Sequence, residues 1–458
     1  MKVSLQLANL YSSADLLSIN QDELIHKIGT QLGAIEEIIN IEDVYKGVLV
    51  AKIIKCHKHP NADSLNVCMI DDGKQAKDVE RDEQGLVQVV CGAPNVKEGL
   101  TVAWIPPGSV VPSTVSKDPF VLGKRELRGI VSNGMLASAS ELAISDDHQG
   151  ILQIEDNDNQ QVVAGKTFAD LYSLKDLIID CENKMFTHRP DCFGILGVAR
   201  ELAGIAGLPF KSPDWYSPKA IIAYQDSGKL SIDSKNEIPE KVKRFMVQVV
   251  EDITVKPSTI QRQSWLTRLD NRPINNIVDA TNFYMQLTAQ PTHAFDYDKV
   301  KQLCADPARV CIFPRMAKDG ETLELLNGKT IKLTTEDVVI ATDKHPIALA
   351  GVMGGVATEV DSNTKNIIVE CATFDMYTIR RTSMRHGLFT DAVTRFNKGQ
   401  SHLQNAIVLS KLVDDICEQS DGTAGRLFDS LPEASLLSWS PVLVNINFIN
   451  KRLGSSLS

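Results

Sequence analysis

The sequence lacks several things, and each absence removes a class of protein. No stretch approaches the roughly 18 consecutive apolar residues of a membrane-spanning helix, so no membrane association is expected. Its nine cysteines are scattered and none sits in a C-x-x-C pair, which argues against a disulfide framework or a zinc ribbon and for reduced, buried thiols. There is no excess of positive charge: 48 Lys and Arg stand against 58 Asp and Glu, a net charge of −10. The molecule as a whole does not attract nucleic acid, and any such binding must come from local basic patches. No repeat at a fixed period and no low-complexity tract is present, so solenoid and disordered readings are set aside. The N-terminus, MKVSLQLANLYSSADLL, has no unbroken apolar core and no small-residue cleavage pattern; a cytoplasmic location is expected.

What remains is an ordinary globular composition, 43% hydrophobic and 23% charged over 458 residues, enough for about three domains. Residues 20–38 place Leu24, Ile25, Ile28, Leu32 and Ile35 at helical spacing, with Asn20 as the cap. From about 46 to 155 the texture changes to short β-rich runs (GVLVAKII, LNVCMID, VQVVCG, LTVAWI) broken by Pro, Gly, Asn and Asp, the pattern of a small antiparallel barrel. Helix returns at 193–208, ended by Gly207 and Pro209, and a Pro- and Ser-containing linker comes next. Residues 229–400 mix strands (RFMVQVVEDI, ARVCIFPRM, DVVIAT, NIIVECA) with turns, and the apolar helix SHLQNAIVLSKLVDDICEQ closes a mixed α+β domain. The last residues, PVLVNINFINKRLGSSLS, begin a strand-then-helix pattern with no room to bury it, so the chain is expected to be cut mid-domain.

Two basic segments stand out against the acidic background: Lys52, Lys55, His57, Lys58 and His59 in KIIKCHKHPNADSL, and Lys124, Arg125 and Arg128 in GKRELRG. A barrel with such a face suits a phosphate backbone, while a solvated surface run is the alternative. The blocks HPNADSLNVCMID, VQVVCGAPNVKEGLTVAWIPPGSVVP and LRGIVSNGMLASASEL resemble, in order, the OB-fold tRNA-binding domain attached to several synthetases. The stretch CENKMFTHRPDCFGILGVARELAGIAGLPF is similar to the segment after that domain in the β subunit of bacterial phenylalanyl-tRNA synthetase. The resemblance continues to the end of the chain, departing at Thr187–Pro190 and at Asn397.

That resemblance implies a multidomain α+β architecture: an OB-fold β-barrel inserted in an N-terminal domain, then a mixed α/β editing domain of the B3/B4 kind. The implied divisions are an N-terminal segment 1–38, the barrel 39–155, the rest of the N-terminal domain 156–208, the editing domain 209–430, and the start of a further domain 431–458. It adds Asn61 and Asn133 to the tRNA-binding residues. It also implies a tRNA(Phe) ligase whose α subunit carries out aminoacylation, in a heterotetramer of two α and two β subunits, with no DNA partner. ATP and Mg2+ are expected for that full enzyme, and no cofactor or metal is assigned within this chain.

The editing domain of that family hydrolyses tyrosine wrongly attached to tRNA(Phe). Three blocks here are similar to it: NRPINNIVDATNFYMQLTAQPTHAFDYDKV (271–300), ALAGVMGG (348–355) and NIIVECATFDMYTIRRTSMRHGLFTDAVTRFNKG (366–399). The chemistry can be stated without the family. Tyrosine differs from phenylalanine by a hydroxyl, which an apolar pocket rejects only modestly, whereas a site that hydrogen-bonds the hydroxyl discriminates by about 10⁴ to 10⁵. Glu370, in the apolar run IIVECA, is a buried carboxyl in need of a partner; an arginine or a tyrosyl hydroxyl would serve, and the resemblance implies the hydroxyl. His293 suits the orienting of a water or the terminal ribose, and Thr281 and Asn282 accompany it as catalytic candidates. Gly351, Gly354 and Gly355 offer backbone N–H groups at a close-approaching turn, or are a plain tight turn. Thr390 and Ala392 correspond to small residues shaping the pocket, and Arg272 to a basic residue at its mouth. Residues 379–399 carry Arg380, Arg381, Arg385, Arg395 and Lys398 against Asp391 alone, a cluster that would guide the acceptor end of tRNA or form surface salt bridges. The competing readings are a stand-alone tRNA-binding module or trans-editing hydrolase, and an assembly subunit with an inactive pocket.

Overall fold

A computed structural model describes residues 1–116, 118–155, 162–184, 186–217, 227–431 and 441–458. The N-terminal strand Lys2–Ser4 pairs with Leu177–Cys181, which pairs in turn with Ile35–Asn40. The chain therefore leaves this three-stranded antiparallel sheet after Asn40 and returns to it at Leu177, and the β-rich segment is an insertion between neighbouring strands. The helix read over 20–38 is shorter than expected. It runs Gln21–Gln31, its N-cap Asn20 accepting the Glu23 N–H at 3.0 Å, and Ile35 belongs to a strand. Gly33 explains the break: a Cβ there would stand 2.7 Å from the Glu182 carbonyl, and the β-branched Ile35, Ile38 and Ile39 beyond it favour a strand.

The inserted segment forms a five-stranded antiparallel sheet in the order Val87–Cys91, Ala62–Asp71, Leu49–His59, Thr101–Ile105, Met135–Leu136. Alternate residues Ile53, Cys68, Ile70, Val87, Val89, Val102 and Trp104 fill its core, as the period of two requires. The basic segment GKRELRG is one arm of a hairpin, Lys124–Leu127 against Ile130–Asn133. Its two-residue loop is Arg128–Gly129, both with positive φ (49° and 88°), the conformation that matches strand twist in tight hairpins.

The next module is built on a four-stranded antiparallel sheet ordered Thr292–Asp296, Ile367–Phe374, Val242–Glu251, Thr423–Asp429. Odd residues of the central strand (Ile367, Val369, Cys371) face the helices Asn276–Thr288 and Asn405–Ser420. Even residues (Ile368, Ala372, Phe374) face a second sheet of Phe313–Met316, Val338–Ala341, Pro346–Leu349 and Met353–Gly354. The helix Ile195–Ala206 ends at Gly207 in the left-handed conformation (φ 72°), as expected from the sequence. The helical side of the sheet shares one core with the N-terminal segment, Leu5, Leu24 and Ile28 lying in the same cluster as Phe283, Leu287 and Leu412.

No strand forms at the expected position near 441. Val442, Leu443 and Val444 are exposed, and the helix Ile446–Leu453 comes after them with no buried residue. Part of the expected linker, 218–226, and residues 156–161 and 432–440 lie outside the described residues. Among the described residues no helix is long and apolar enough to cross a membrane.

Candidate functional site

Between the two sheets of the second module lies a cavity of about 80 Å³, lined among others by Thr292, His293, Met353, Gly354, Glu370, Phe374, Ala392 and Phe396. Its two ionisable side chains arrive by register: His293 and Glu370 are directly opposed residues of neighbouring antiparallel strands, so both project to the same face. Glu370 is 7% exposed. Among the described residues its carboxyl has no hydrogen bond and no ion pair, and burial pushes it from 4.5 up to about 8. The arginine partner allowed by the sequence is absent. At neutral pH the group is predominantly a neutral carboxylic acid, with one donor and one acceptor to offer. His293 packs edge-on against Phe295 at 4.6 Å and 81°. Burial lowers it from 6.5 to about 4, so the imidazole is neutral as well.

Two glycines make room for these groups. A Cβ on Gly354 would stand 2.6 Å from His293 Nε2. Gly351 has φ +66°, and a Cβ there would meet Ile379, Phe374 and Phe396 at 2.8–3.1 Å, so any side chain would be both strained and obstructed. The neighbouring Gly355 N–H is already donated to the Ile347 carbonyl at 2.9 Å. Thr390 caps the helix Asp391–Phe396 and donates its hydroxyl to the Val352 carbonyl at 3.0 Å, holding the cavity wall without lining it.

Three sequence assignments are corrected here. Arg272 is not at the cavity; it pairs with Asp146 at 2.7 Å, both side chains exposed, along the groove beside the inserted sheet. The reason is geometric: Arg272 precedes the helix Asn276–Thr288, whose thirteen residues span about 20 Å, while His293 lies past the far end. Thr281 and Asn282 lie mid-helix and do not line the cavity. Thr281 donates its hydroxyl to Val278 O at 2.7 Å inside its own helix, and reaches the cavity only through its carbonyl, 3.4 Å from the Thr292 hydroxyl. Thr292 and Met353, in the cavity wall, were not singled out; Thr292 stood one residue from His293 and on a strand edge, a signal that was available.

The basic run 379–399 divides in two. Arg395 is buried, bonded to Phe193 O, Asp391 and Gln286, and Arg385 is tied to Asp337 and Glu336; neither is free to meet a phosphate. Arg380 and Arg381 are exposed on the helix Met376–His386.

In the inserted domain the two basic segments, distant in sequence, meet. His59 Nε2 lies 3.0 Å from the Leu127 carbonyl, and Asn61 donates to the Arg128 carbonyl at 3.0 Å. Lys52, Lys55, Lys58, Arg125 and Arg128 are exposed on the outside, as is Lys124, which pairs with Glu80. His59 and Asn133 are buried, and Asn133 donates to Gln88 O at 3.0 Å. These two act as fasteners of the tip and the hairpin, which corrects their assignment as nucleic-acid contacts. Beside the hairpin lies a cavity of about 610 Å³ lined by Cys91, Phe120, Arg125, Glu141 and His148 among others, a feature the sequence did not signal.

Among the described residues one other group could hold a metal, Cys304, Cys311 and Asp343. The Cys304 sulfur is engaged with backbone, donating to Val300 O at 3.4 Å and accepting from Cys311 N at 3.4 Å. Burial pushes Cys311 up to about 11, which disfavours the thiolate a metal needs.

The chain thus joins an antiparallel five-stranded sheet with a basic rim to a two-sheet module with a polar pair in its cavity, the class of a protein with a tRNA-binding-type domain and a B3/4 domain. Family models agree: residues 48–161 match the putative tRNA-binding domain and residues 241–419 the B3/4 domain. The chain is 33% identical over 441 residues to the phenylalanine–tRNA ligase beta subunit of Yersinia pestis, covering 95% of this chain and 51% of that one. It is 33% identical over 436 residues to that of Pectobacterium atrosepticum (94% and 50%) and 34% identical over 432 residues to that of Streptococcus pyogenes (92% and 50%). A crystal structure of an N-terminal fragment of the phenylalanyl-tRNA synthetase beta-subunit from Pyrococcus horikoshii covers 62% of this chain and 74% of its own, at 13% identity and a TM-score of 0.29, too loose to carry an argument. The chain is a homologue of phenylalanine–tRNA ligase beta subunits over nearly its whole length, and it spans about half the length of the curated relatives it matches.

Proposed function

We propose that this chain is the tRNA-binding and editing part of a phenylalanine–tRNA ligase β subunit, which removes tyrosine misattached to tRNA(Phe). Aminoacylation belongs to the assembly with an α subunit, paired as two α and two β subunits, with ATP and Mg2+ serving that partner's chemistry. The observation that carries the reading is Glu370: a carboxyl without a partner among the described residues, at the wall of a cavity lined mostly by apolar side chains, opposite a neutral histidine. A tyrosyl hydroxyl supplies the missing partner, donating to the carbonyl oxygen of Glu370 or accepting from its O–H. Phenylalanine leaves the acid unsatisfied, and that asymmetry produces the selectivity.

Hydrolysis of an aminoacyl ester needs a positioned water more than a strong base. His293, neutral and held low by burial, is a poor proton acceptor at pH 7 and fits the role of orienting water or the terminal ribose by hydrogen bonding. The exposed Lys and Arg residues of the inserted domain supply the sequence-independent phosphate contacts. The test is deacylation of tyrosyl- and phenylalanyl-tRNA(Phe) by the chain with and without an α subunit. Selective loss of the tyrosyl ester, made unselective by Glu370→Ala, is expected. Equal rates for both esters, or selectivity that survives Glu370→Ala, would overturn the reading.

A further inference from the structure

The helix Met376–His386 buries Thr378, Ile379, Thr382 and Ser383. Its other face carries Tyr377 (61% exposed) and Met384 (65%) with Arg380 and Arg381 between them, an i, i+3, i+4, i+7 stripe on one side of the helix. The stripe leads to Phe389, which is 79% exposed. Exposed phenylalanines on mobile loops are common enough, but Phe389 is held on a clamped turn. Gly387 (φ 64°) ends the helix, Leu388 N donates to Ser383 O at 3.0 Å, and the Ser383 hydroxyl donates to Leu388 O. On the other side the Thr390 hydroxyl bonds Val352 O in the cavity wall. The ring is thus presented to solvent by a fixed backbone, one residue from the wall of the Glu370 cavity.

The charge of this face selects its partner. Arg380 and Arg381 form no ion pair among the described residues, and burial, helped by repulsion from the nearby Arg380, lowers the Lys398 ammonium. Unpaired cations interleaved with exposed aromatic and thioether side chains match a single-stranded nucleic acid, whose bases stack while its phosphates meet the cations. We propose that this stripe is a stacking platform for the single-stranded 3′ end of tRNA, with Phe389 under a base adjoining the terminal nucleotide and Arg380 and Arg381 on the phosphates. The proposal rests on the editing reading for its choice of RNA, since the cavity takes the amino acid attached to that end.

The experiment measures binding of a labelled tetranucleotide RNA ending in CCA to the full chain by fluorescence anisotropy. Phe389→Ala is expected to weaken binding about tenfold, the loss of one stacked base, with Phe389→Trp retaining it. Arg380→Ala with Arg381→Ala lowers the slope of log affinity on log salt by about 0.7 for each phosphate contact removed. A change under twofold for Phe389→Ala, binding too weak to measure, or Trp as damaging as Ala overturns the platform. A Phe389→Ala chain that spares RNA binding but loses affinity for the α subunit overturns it too, by assigning the face to a protein partner. In parallel, Phe389→Ala raises KM for tyrosyl-tRNA and leaves hydrolysis of tyrosyl-adenosine, which lacks the preceding nucleotides, unchanged. If RNA binding responds to Phe389 but neither ester is hydrolysed, the editing reading fails and the platform stands; selective hydrolysis with RNA binding indifferent to Phe389 gives the converse.

Discussion

Asp337 and Glu370 are both buried carboxyl groups of the second module, and their surroundings could hardly differ more. Asp337 accepts from Thr334 N at 2.9 Å, the Thr334 hydroxyl at 3.1 Å, the Thr382 hydroxyl at 3.2 Å, His386 Nε2 at 2.9 Å, and Arg385. Burial alone would raise it, but the His386 contact, the backbone donor and Arg385 outweigh burial and hold it below the ordinary range. Glu370, with no such partner, moves the other way. A carboxylate whose acceptor sites are filled by the protein works as a fastener, here tying the loop before Val338 to the end of the helix that leads to Phe389. One whose sites are empty is available to a ligand.

The contrast breaks most sharply on removal of each group. Asp337→Ala leaves His386 without its acceptor and Arg385 with Glu336 alone, and is expected to cost about 3–5 kcal/mol in urea unfolding, whereas Glu370→Ala leaves stability within about 1 kcal/mol and erases tyrosine selectivity. Equal stability losses would show that Glu370 also holds the fold. A second effect comes from pH. Glu370 binds its proton more tightly folded than unfolded, so its contribution is full below about pH 4.5 and is lost as pH rises through about 8. Glu370→Gln, an amide that offers both a donor and an acceptor, is expected to melt higher than the parent from pH 5 upward, with the gap levelling off above pH 8, and to keep tyrosine selectivity at pH 7. His293 works in the opposite sense: its contribution is present above about pH 6.5 and is lost as pH falls through about 4. The stability of His293→Asn is expected to vary less with pH than the parent's between those values. The smallest effect is Arg272→Ala, an exposed pair far from the cavity, with stability within about 0.5 kcal/mol and deacylation unchanged; a raised KM would bring that residue back to the site.

The strand-borne parts of the site were legible in the sequence because a buried strand leaves a strong signal: NIIVECA announces one, and a glutamate inside it announces either a partner or a ligand. The same reasoning failed on helices. Composition counts Arg380 and Arg395 alike, yet one faces water and the other lies against Phe193, and only the packing of the two short helices decides. Thr281, Asn282 and Arg272 sit close in sequence to His293, but a straight helix carries nearby residues apart along its axis. In the inserted domain, His59 looked like a phosphate contact because it stands among lysines, and its burial depends on a hairpin distant in sequence, through Leu127.

The inserted sheet enters and leaves the body through one doorway: Ile41 N–H is bonded to Asp176 O at 2.9 Å, and Leu177 faces Asn40 across the parent sheet. Because the two ends already touch, the whole stretch between them can be exchanged, lengthened or deleted without changing the path of the rest of the chain. The inserted domain is in that sense a cassette. A replacement insert has only to return an acidic residue at the exit, where Asp176 meets Arg268 at 2.7 Å.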